Sequence, residues 1–527
     1  MKRSIILMFI LISLMGLLGC ANPDNTSIFS EYRSNKKVRL KYNVEQMSFS
    51  KSFQTTDAAV EIIENNEDNF KILAHLGLAD YSTVKVDKIL MKKNIIDIYV
   101  SGDKENKETS LSVPQMIINL NKNNLDKFED IKFNVVYEDF TPIKIKFKIN
   151  DVLNKLESHF KISSNSLPRF DLINLNDNIL WEITYNSVFY KDMKDTPLID
   201  LYALVDANSG DIIESDKNII SQMSDTGHIL DYMQNESLLY KQKYNSKEND
   251  KLKEQLYSYS IVDKKNTLLY SSNYKISSGK ISPDLENVSF LETSENGNEM
   301  YIVSSDTPKL YKIIFEETFT PYTIKWKDNN KLYILGKEDN KSAVYTYDLS
   351  TNELTLINKL REEIETFNIF NDYFLLVEKS DNEYNKRIFL TKDWKKLKPL
   401  NIGFNPQFID DENIVYIKKD ESSNIDFLSI YNLEENEVVR RIDRNVVSYS
   451  IFEDNIVYIK NNPSYNDYTM YNYSTKNKEN TYISNIMCKN VYYNSHDNII
   501  YLNTTLPFNN DDMEMIYSID LNNIKNP

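Results

Sequence analysis

Apolar and polar positions alternate in a short strand-like run that recurs through the second half of the chain. One copy reads Asn455-Ile-Val-Tyr458-Ile-Lys, which presents apolar residues to both faces of a strand. The copies follow one another at steps of 41, 42, 42 and 43 residues, aligned on Tyr333, Phe374, Tyr416, Tyr458 and Tyr501. A period of about 40–45 residues with several strands per unit is typical of a β-propeller blade. The pattern predicts a mainly β fold with a C-terminal β-propeller over residues 221–527.

The length of this region sets the expected number of blades. Roughly 305 residues at about 42 per blade predict seven blades, with six or eight left open. Two earlier copies of the pattern contain Tyr270 and Tyr301, which are only about 30 residues apart. These units are therefore either compact or offset by one strand. Little chain follows the last predicted strand at 515–521, so we expect ring closure to borrow a strand from the start of the propeller.

Shorter patterns upstream predict two small α+β domains, at 37–140 and 141–220. In the first, Thr55-Thr56 precedes a short helix at 57–63, and strands are expected at 38–44, 83–91, 95–100, 115–120 and 131–137. In the second, Pro142 opens an alternating strand, and Asn150 or Asp151 can cap the following helix. One face of that helix carries Val152, Leu153, Leu156 and Phe160.

Three segments resemble known modules. The Leu180-Trp181-Glu-Ile strand and the Val205-Asp-Ala-Asn-Ser-Gly210-Asp hairpin resemble a PepSY module, a class that usually serves as a non-catalytic interaction or inhibitory domain. The order of elements in 37–140 resembles GerMN-like domains of cell-envelope lipoproteins. The hairpin Tyr431-Asn-Leu-Glu-Glu-Asn436-Glu, with its relatives in other repeats, resembles the outer hairpins of TolB-type propellers.

The N-terminus has the pattern of an export signal. Lys2 and Arg3 precede an apolar run from Ile5 to Leu18, as in a signal peptide over residues 1–19. Leu17-Leu-Gly-Cys20 resembles the lipobox of bacterial lipoproteins, which implies that Cys20 is acylated and becomes the first residue of the mature chain. Residues 20–36 are polar and predict a tether. The alternative is an uncleaved anchor helix with an incidental cysteine.

Charge and cysteine content narrow the possible partners. The net charge is −16 at pH 7, which argues against nucleic-acid binding because that needs a basic footprint. Cys488 is the only other cysteine, so a lipid on Cys20 leaves no intramolecular disulfide. We interpret Cys488 as a small buried apolar residue.

The chain contains none of the common catalytic or metal-binding motifs. Its four histidines are scattered, and there is no His-x-x-x-His, Cys-x-x-Cys, Gly-x-Ser-x-Gly or P-loop spacing. Asp206, Asn208 and Asp211 resemble the start of a calcium loop, but Gly210 occupies position five and Lys217 position twelve. A turn is the better interpretation. We therefore expect no catalytic, cofactor or metal site.

Together these features lead to two functional hypotheses. The first is a non-catalytic, lipid-anchored protein on the extracytoplasmic face of the cell membrane, using its propeller as a protein-interaction or sensing platform for an envelope protein. The second is an extracellular enzyme or glycan-binding protein that uses the central mouth of the propeller. Acids and aromatic residues from several blades converging on one funnel would favour the second.

Overall fold

The computed structural model describes residues 37–523 except 67–69, 82, 104–110, 122–129, 246–251, 296, 307–308, 383–385, 421–424, 464–466 and 507–512. Cys20, the signal peptide and the tether lie outside the described residues, so their prediction is unaffected. The chain divides into two compact units. The first runs to Asp151 and includes 171–181 and 206–211; the second comprises 152–170, 182–205 and the chain from Ile212.

Two four-stranded sheets of the first unit enclose an apolar core. Their orders are β1-β5-β6-β8 and β2-β7-β4-β3. Ile72, Ile98 and Ile118 lie in that core and are fully buried. The strands are β1 (Val38–Arg39), β2 (Tyr42–Ser50), β3 (Ala58–Asn65), β4 (Phe70–Leu76), β5 (Thr83–Lys92), β6 (Ile95–Asp103), β7 (Val113–Leu120) and β8 (Lys132–Tyr137).

The prediction of a helix at 57–63 is wrong, because this segment forms the strand β3. Val60 pairs with Ala74 of β4 and packs on the core of the sheet pair. Val60 and Ile62 are β-branched residues, which lose side-chain freedom in a helix and favour strands. The edge position beside β4 therefore outweighs the local helix signal of Thr55-Thr56.

A helix and five strands follow, and they include the predicted helix, the strand with Trp181 and the hairpin at 205–211. They are α1 (Ile149–Phe160), β9 (Ile162–Ser163), β10 (Arg169–Leu175), β11 (Asn178–Tyr190), β12 (Leu198–Asp206) and β13 (Ile212–Ile219). The sheet order is β10-β11-β12-β13, with β9 pairing β11. The buried Trp181 of β11 donates its indole N–H to the carbonyl of Phe147 at 2.9 Å.

Two details of this region differ from the sequence expectation. The strand expected from Pro142 is reduced to one bridge, between Ile143 and Leu78. The helix begins at Ile149, two residues earlier than a cap at Asn150 would allow, and the backbone N–H of Lys148 donates to Asp151 Oδ2 at 3.3 Å. Asp151 thus stabilises the helix from inside its first turn.

The rest of the described chain forms seven four-stranded antiparallel sheets, as expected for a seven-bladed propeller. Blades 1 to 3 are β15 (His228–Met233), β16 (Ser237–Asn245), β17 (Leu252–Ser260), β18 (Lys265–Ser272); β19 (Lys275–Ile281), β20 (Asn287–Ser294), β21 (Gly297–Ser304), β22 (Leu310–Ile313); and β23 (Phe319–Trp326), β24 (Lys331–Glu338), β25 (Lys341–Asp348), β26 (Glu353–Lys359).

The remaining blades follow the same plan. Blades 4 to 6 are β27 (Ile364–Phe370), β28 (Tyr373–Glu378), β29 (Arg387–Thr391), β30 (Lys398–Ile402); β31 (Phe404–Phe408), β32 (Asn413–Asp420), β33 (Ile425–Asn432), β34 (Glu437–Arg444); and β35 (Val446–Phe452), β36 (Asn455–Asn462), β37 (Asp467–Ser474), β38 (Glu479–Ile486). Blade 7 contains β39 (Val491–Asn494), β40 (Ile499–Thr505), β41 (Glu514–Asp520) and β14 (Ser221–Thr226). A short 3-10 turn, Leu521–Asn523, follows β41.

The borrowed strand that closes the ring is confirmed. β14 pairs antiparallel with β41, and Ser224 lies opposite Tyr517. Blade 1 then packs on blade 7, since Ile229 and Tyr240 share an apolar cluster with Tyr501 and Ile516. The closing blade is thus held by both ends of the propeller.

The five recurring aromatic residues lie on the second strands of blades 3 to 7, and Tyr240 and Phe290 occupy the equivalent positions in blades 1 and 2. Tyr458 of β36 is fully buried and packs with Val415 and Ile417 of the preceding blade, which confirms its expected position between blades. Its hydroxyl donates to Asp443 Oδ2 at 2.8 Å. The close spacing of the two early copies is an offset, because Tyr301 lies on a third strand and Tyr270 on a fourth.

Candidate functional site

The first strands of the blades line the centre of the propeller. β15, β19, β23, β27 and β31 pack against one another in that order, as the innermost strands of a ring must. Four of these strands carry a polar residue in the same region. We name Asp231, Lys280, Lys325 and Asn368 the channel ring.

The strand register places the four side chains at similar depth. Each residue of the channel ring pairs with a second-strand residue that is the recurring aromatic or its immediate neighbour. Lys325 lies opposite Tyr333 itself. The other pairs are Asp231 with Leu239, Lys280 with Ser289 and Asn368 with Leu375. The channel ring is therefore one layer of the channel, supplied by four consecutive blades.

Hydrogen bonds link these residues from blade to blade. Lys280 Nζ donates to Asp231 Oδ1 at 2.6 Å, and the backbone N–H of Ile281 donates to the other oxygen at 3.0 Å. Lys325 Nζ donates to Asn368 Oδ1, whose amide nitrogen donates to the carbonyl of Pro406 on blade 5. These bonds fix the side chains before any ligand arrives.

The electrostatics of the ring centre on Lys325. Desolvation by the surrounding protein, with the positive charge of Lys280, lowers the pKa of Lys325 to about 8, while Asp231 acts in the opposite direction. A desolvated ammonium is a strong partner for an anion, because water screens it little. Two lysines against one aspartate leave the channel ring with excess positive charge inside an acidic protein.

Blades 6 and 7 complete the channel with aromatic and small polar residues. Tyr492 of β39 packs against Tyr232, with ring centroids 5.6 Å apart. Burial raises the pKa of Tyr492 to about 12, and the charge of Asp231 adds to the shift. A cavity of about 190 Å³ lies beside Tyr492, and Ser450 and Met470 also line it.

The layer of polar residues suits an anionic group better than a metal ion. Within the described ranges, no cluster of three or more histidine, cysteine, aspartate or glutamate side chains could hold a metal. Two ammonium groups and an amide can together bind a carboxylate or a similar oxyanion.

The channel ring was not predicted from the sequence, because its residues form no local motif. Their spacing is 49, 45 and 43 residues, which follows the blade period only approximately. A usable signal is a charged or amide residue on the first strand of successive blades, six to ten residues before the aromatic of the second strand.

The other sequence candidates have structural roles in the described residues. Asp206 Oδ1 accepts the backbone N–H groups of Asn208 and Ser209 at 2.8 and 2.7 Å, which lowers the pKa of Asp206 and confirms a turn. Cys488 is half-buried against the apolar cluster of blades 6 and 7. Burial raises the pKa of the Cys488 thiol to about 12, so the reactive thiolate is scarce at neutral pH.

Comparison with known proteins gives similarity of fold. No family model and no curated protein matches the chain. Among solved structures, it is similar to an oligogalacturonate lyase solved with manganese, at 11% identity and a TM-score of 0.44, covering 64% of this chain and 96% of the lyase. It is also similar to the β-propeller domain of the Trilobed protease from Pyrococcus furiosus, at 15% identity and a TM-score of 0.42, covering 57% and 97%.

TolB from Acinetobacter baumannii is another similar structure. Its identity is 12% and its TM-score 0.35, with coverage of 61% of this chain and 76% of TolB. The fold is mainly β, with a C-terminal β-propeller. That part of the sequence prediction is confirmed, and TolB and other propeller domains are among its structural neighbours.

The expectation that the chain is not an enzyme is corrected by the same comparison. Its structural neighbours include a lyase, prolyl endopeptidases and acylaminoacyl peptidases. The absence of a familiar catalytic motif in the sequence therefore does not justify calling the protein non-catalytic, and that prediction is wrong. In the described part of the chain, no helix is long and apolar enough to cross a membrane.

Proposed function

We propose that the protein is a lipid-anchored platform on the extracytoplasmic face of the cell membrane, and that its propeller binds an envelope protein partner at the channel ring. The observation that carries this proposal is the convergence of Asp231, Lys280, Lys325 and Asn368 from four blades on one layer. The lipobox resemblance at Cys20 supports the anchor, and the PepSY-like segment supports an interaction role.

The charge of the channel ring defines what the partner must offer. The carboxylate of Asp231 accepts hydrogen bonds from Lys280 Nζ and from the backbone N–H of Ile281, so both of its oxygens already have donors. Lys325 donates a hydrogen bond to the neutral amide of Asn368, and this contact does not neutralise its positive charge. An acidic side chain or a terminal carboxylate of the partner would complete this half of the ring.

The binding prediction is tested by Lys325→Met. We expect this variant to bind the partner at least about tenfold more weakly, since truncating one member of a desolvated charge pair costs about 2–5 kcal/mol. The partner is first captured from native envelopes with the full lipidated protein, and its affinity is then measured with purified proteins. Lys337→Met, which removes an exposed lysine of β24, is the matched control.

The same measurement has a pH dependence of known sign. Lys325 is protonated below its pKa of about 8, so binding should be strongest there and decline as the pH rises through 8. Lys325→Met should lose this dependence on pH. Unchanged affinity in Lys325→Met, with an unchanged melting temperature, would refute the role of the channel ring.

The anchor has a separate test. We expect Cys20→Ser to abolish lipid attachment and leave the protein soluble or uncleaved, because one acylated cysteine is the membrane attachment that the lipobox implies. Fractionation and mass spectrometry of the mature N-terminus measure the result. A cleaved Cys20→Ser chain that stays in the membrane fraction contradicts this prediction.

The second candidate is that the protein is an extracellular enzyme or a glycan-binding protein whose site is the same channel ring. The observation that favours it is the lowered pKa of Lys325, because a lysine that releases its proton near pH 8 can serve as a general base. Incubation with acidic and neutral polysaccharides tests this function. The function is supported if the natural chain releases fragments from a polysaccharide, or binds it, and Lys325→Met does not. It is rejected if the natural chain and Lys325→Met behave equally.

A further inference from the structure

A second and larger cavity lies at one rim of the propeller, where blades 7, 1 and 2 meet. Its volume is about 680 Å³, within the range of small-molecule sites. It is formed by the beginnings of β15 and β19, the facing parts of β16 and β17, the end of β40 and the beginning of β41. We name it the rim cavity; its lining includes His228, Lys241, Lys243, Glu254, Tyr274, Lys275 and Glu514.

One wall of the rim cavity is fixed by a buried ion pair. Lys241 Nζ donates to both oxygens of Glu254 at 3.1 Å and to the carbonyl of Ile276 at 2.6 Å. Glu254 Oε2 also accepts the backbone N–H of Ile276 at 2.6 Å. The side chains of Lys241 and Glu254 are only 10% and 8% exposed. Blade 1 thus holds the backbone of blade 2, and the wall is rigid without a ligand.

The charges around the cavity are unbalanced. Lys241 is neutralised by Glu254, and His228 Nδ1 lies 2.9 Å from Glu514 Oε1. Lys243 and Lys275 are exposed and form no ion pair with any residue that the structure describes. Three lysines face two glutamates in the lining, which leaves one excess positive charge in a protein whose net charge is −16. Such a local reversal of sign concentrates anions at one place.

We propose that the rim cavity binds a small organic anion carrying at least two carboxylate or phosphate groups. Lys243 and Lys275 would contact the charged groups, and the exposed Tyr274 with Leu230 would supply apolar contact to the carbon skeleton. Lysines bind oxygen anions of either chemistry as point charges, which is why both are included. This site is distinct from the channel ring, and its test does not depend on a partner protein.

The test measures binding of defined probes to the full mature chain by isothermal titration calorimetry. Citrate represents carboxylates, glucose 6-phosphate represents phosphates, and glucose is the neutral comparison. We expect at least one anion to bind with one-to-one stoichiometry, more weakly at high salt, and glucose not to bind. The tighter of the two anions identifies the preferred chemistry.

Variants then locate the bound anion. Lys243→Gln and Lys275→Gln should each weaken binding by about tenfold, the typical loss for one charged hydrogen bond. Lys265→Gln, an exposed lysine of β18 outside the cavity lining, should bind like the natural chain. These variants are also compared in a Lys325→Met background, so that an anion held at the channel ring does not contribute to the signal. The proposal would be overturned if neither anion binds, if glucose binds equally well, or if both cavity variants bind the anion as tightly as the natural chain.

Discussion

Tyr458→Ala should lower the free energy of unfolding of the propeller by about 3–5 kcal/mol. Tyr458 is fully buried between blades 5 and 6 and stacks on Tyr471, with ring centroids 5.5 Å apart. Removing the ring leaves a cavity in an interface that both blades need. Because a closed ring shares its blade interfaces, we expect one lowered melting transition for the whole propeller, measured by calorimetry.

Tyr458→Phe is the matched control for this loss. It keeps the aromatic ring and removes only the hydroxyl that donates to Asp443, which Lys460 also contacts at 2.9 Å. The expected cost is smaller, about 1.5–3 kcal/mol, the usual net value of one hydrogen bond to a charged group. Partner binding below the melting temperature should be preserved in both variants. A Tyr458→Ala protein that melts normally but fails to bind would show that this aromatic is a recognition residue.

Glu254→Ala is expected to destabilise the propeller by a similar amount, about 3–5 kcal/mol. The change leaves the buried ammonium of Lys241 with only the carbonyl of Ile276 as a described partner. An uncompensated buried charge is more costly than the loss of the pair itself. Chemical denaturation of the full chain, followed by intrinsic fluorescence, measures the difference.

The double variant Lys241→Met with Glu254→Leu distinguishes charge from shape. It removes both charges and keeps apolar volume at the boundary between blades 1 and 2, so most of the lost stability should return. If the double variant is as unstable as Glu254→Ala, the backbone contacts to Ile276 are the important part of the network, and our electrostatic explanation is wrong.

The propeller could be predicted because every blade repeats the same apolar requirement. An aromatic residue between blades must recur once per blade, as Tyr416 and Tyr458 do, and no ligand alters that need. The second strand of blade 2 was not recognised in the sequence, because its copy of the repeat, Asn287-Val-Ser-Phe290, has a serine beside the aromatic residue. The short helix expected after Thr56 failed for another reason, since pairing with β4 is a non-local interaction that local signals do not report.

The channel ring and the rim cavity could not be predicted in the same way. Lys325 and Asn368 come together because their strands occupy neighbouring positions around a centre, and neither has a partner nearby in sequence. The pairs of the rim cavity, such as His228 with Glu514, exist only after β14 and β41 close the ring. Sites of this kind depend on closure, which a linear pattern does not contain.

The pairing of β14 with β41 also has a consequence for the order in which the protein is made. β14 is among the first propeller strands to be synthesised, while its partner β41 is the last strand that the structure describes. Until β41 arrives, β14 has an unpaired edge of the kind that promotes aggregation. A chain cut before β41 would therefore leave that edge unpaired.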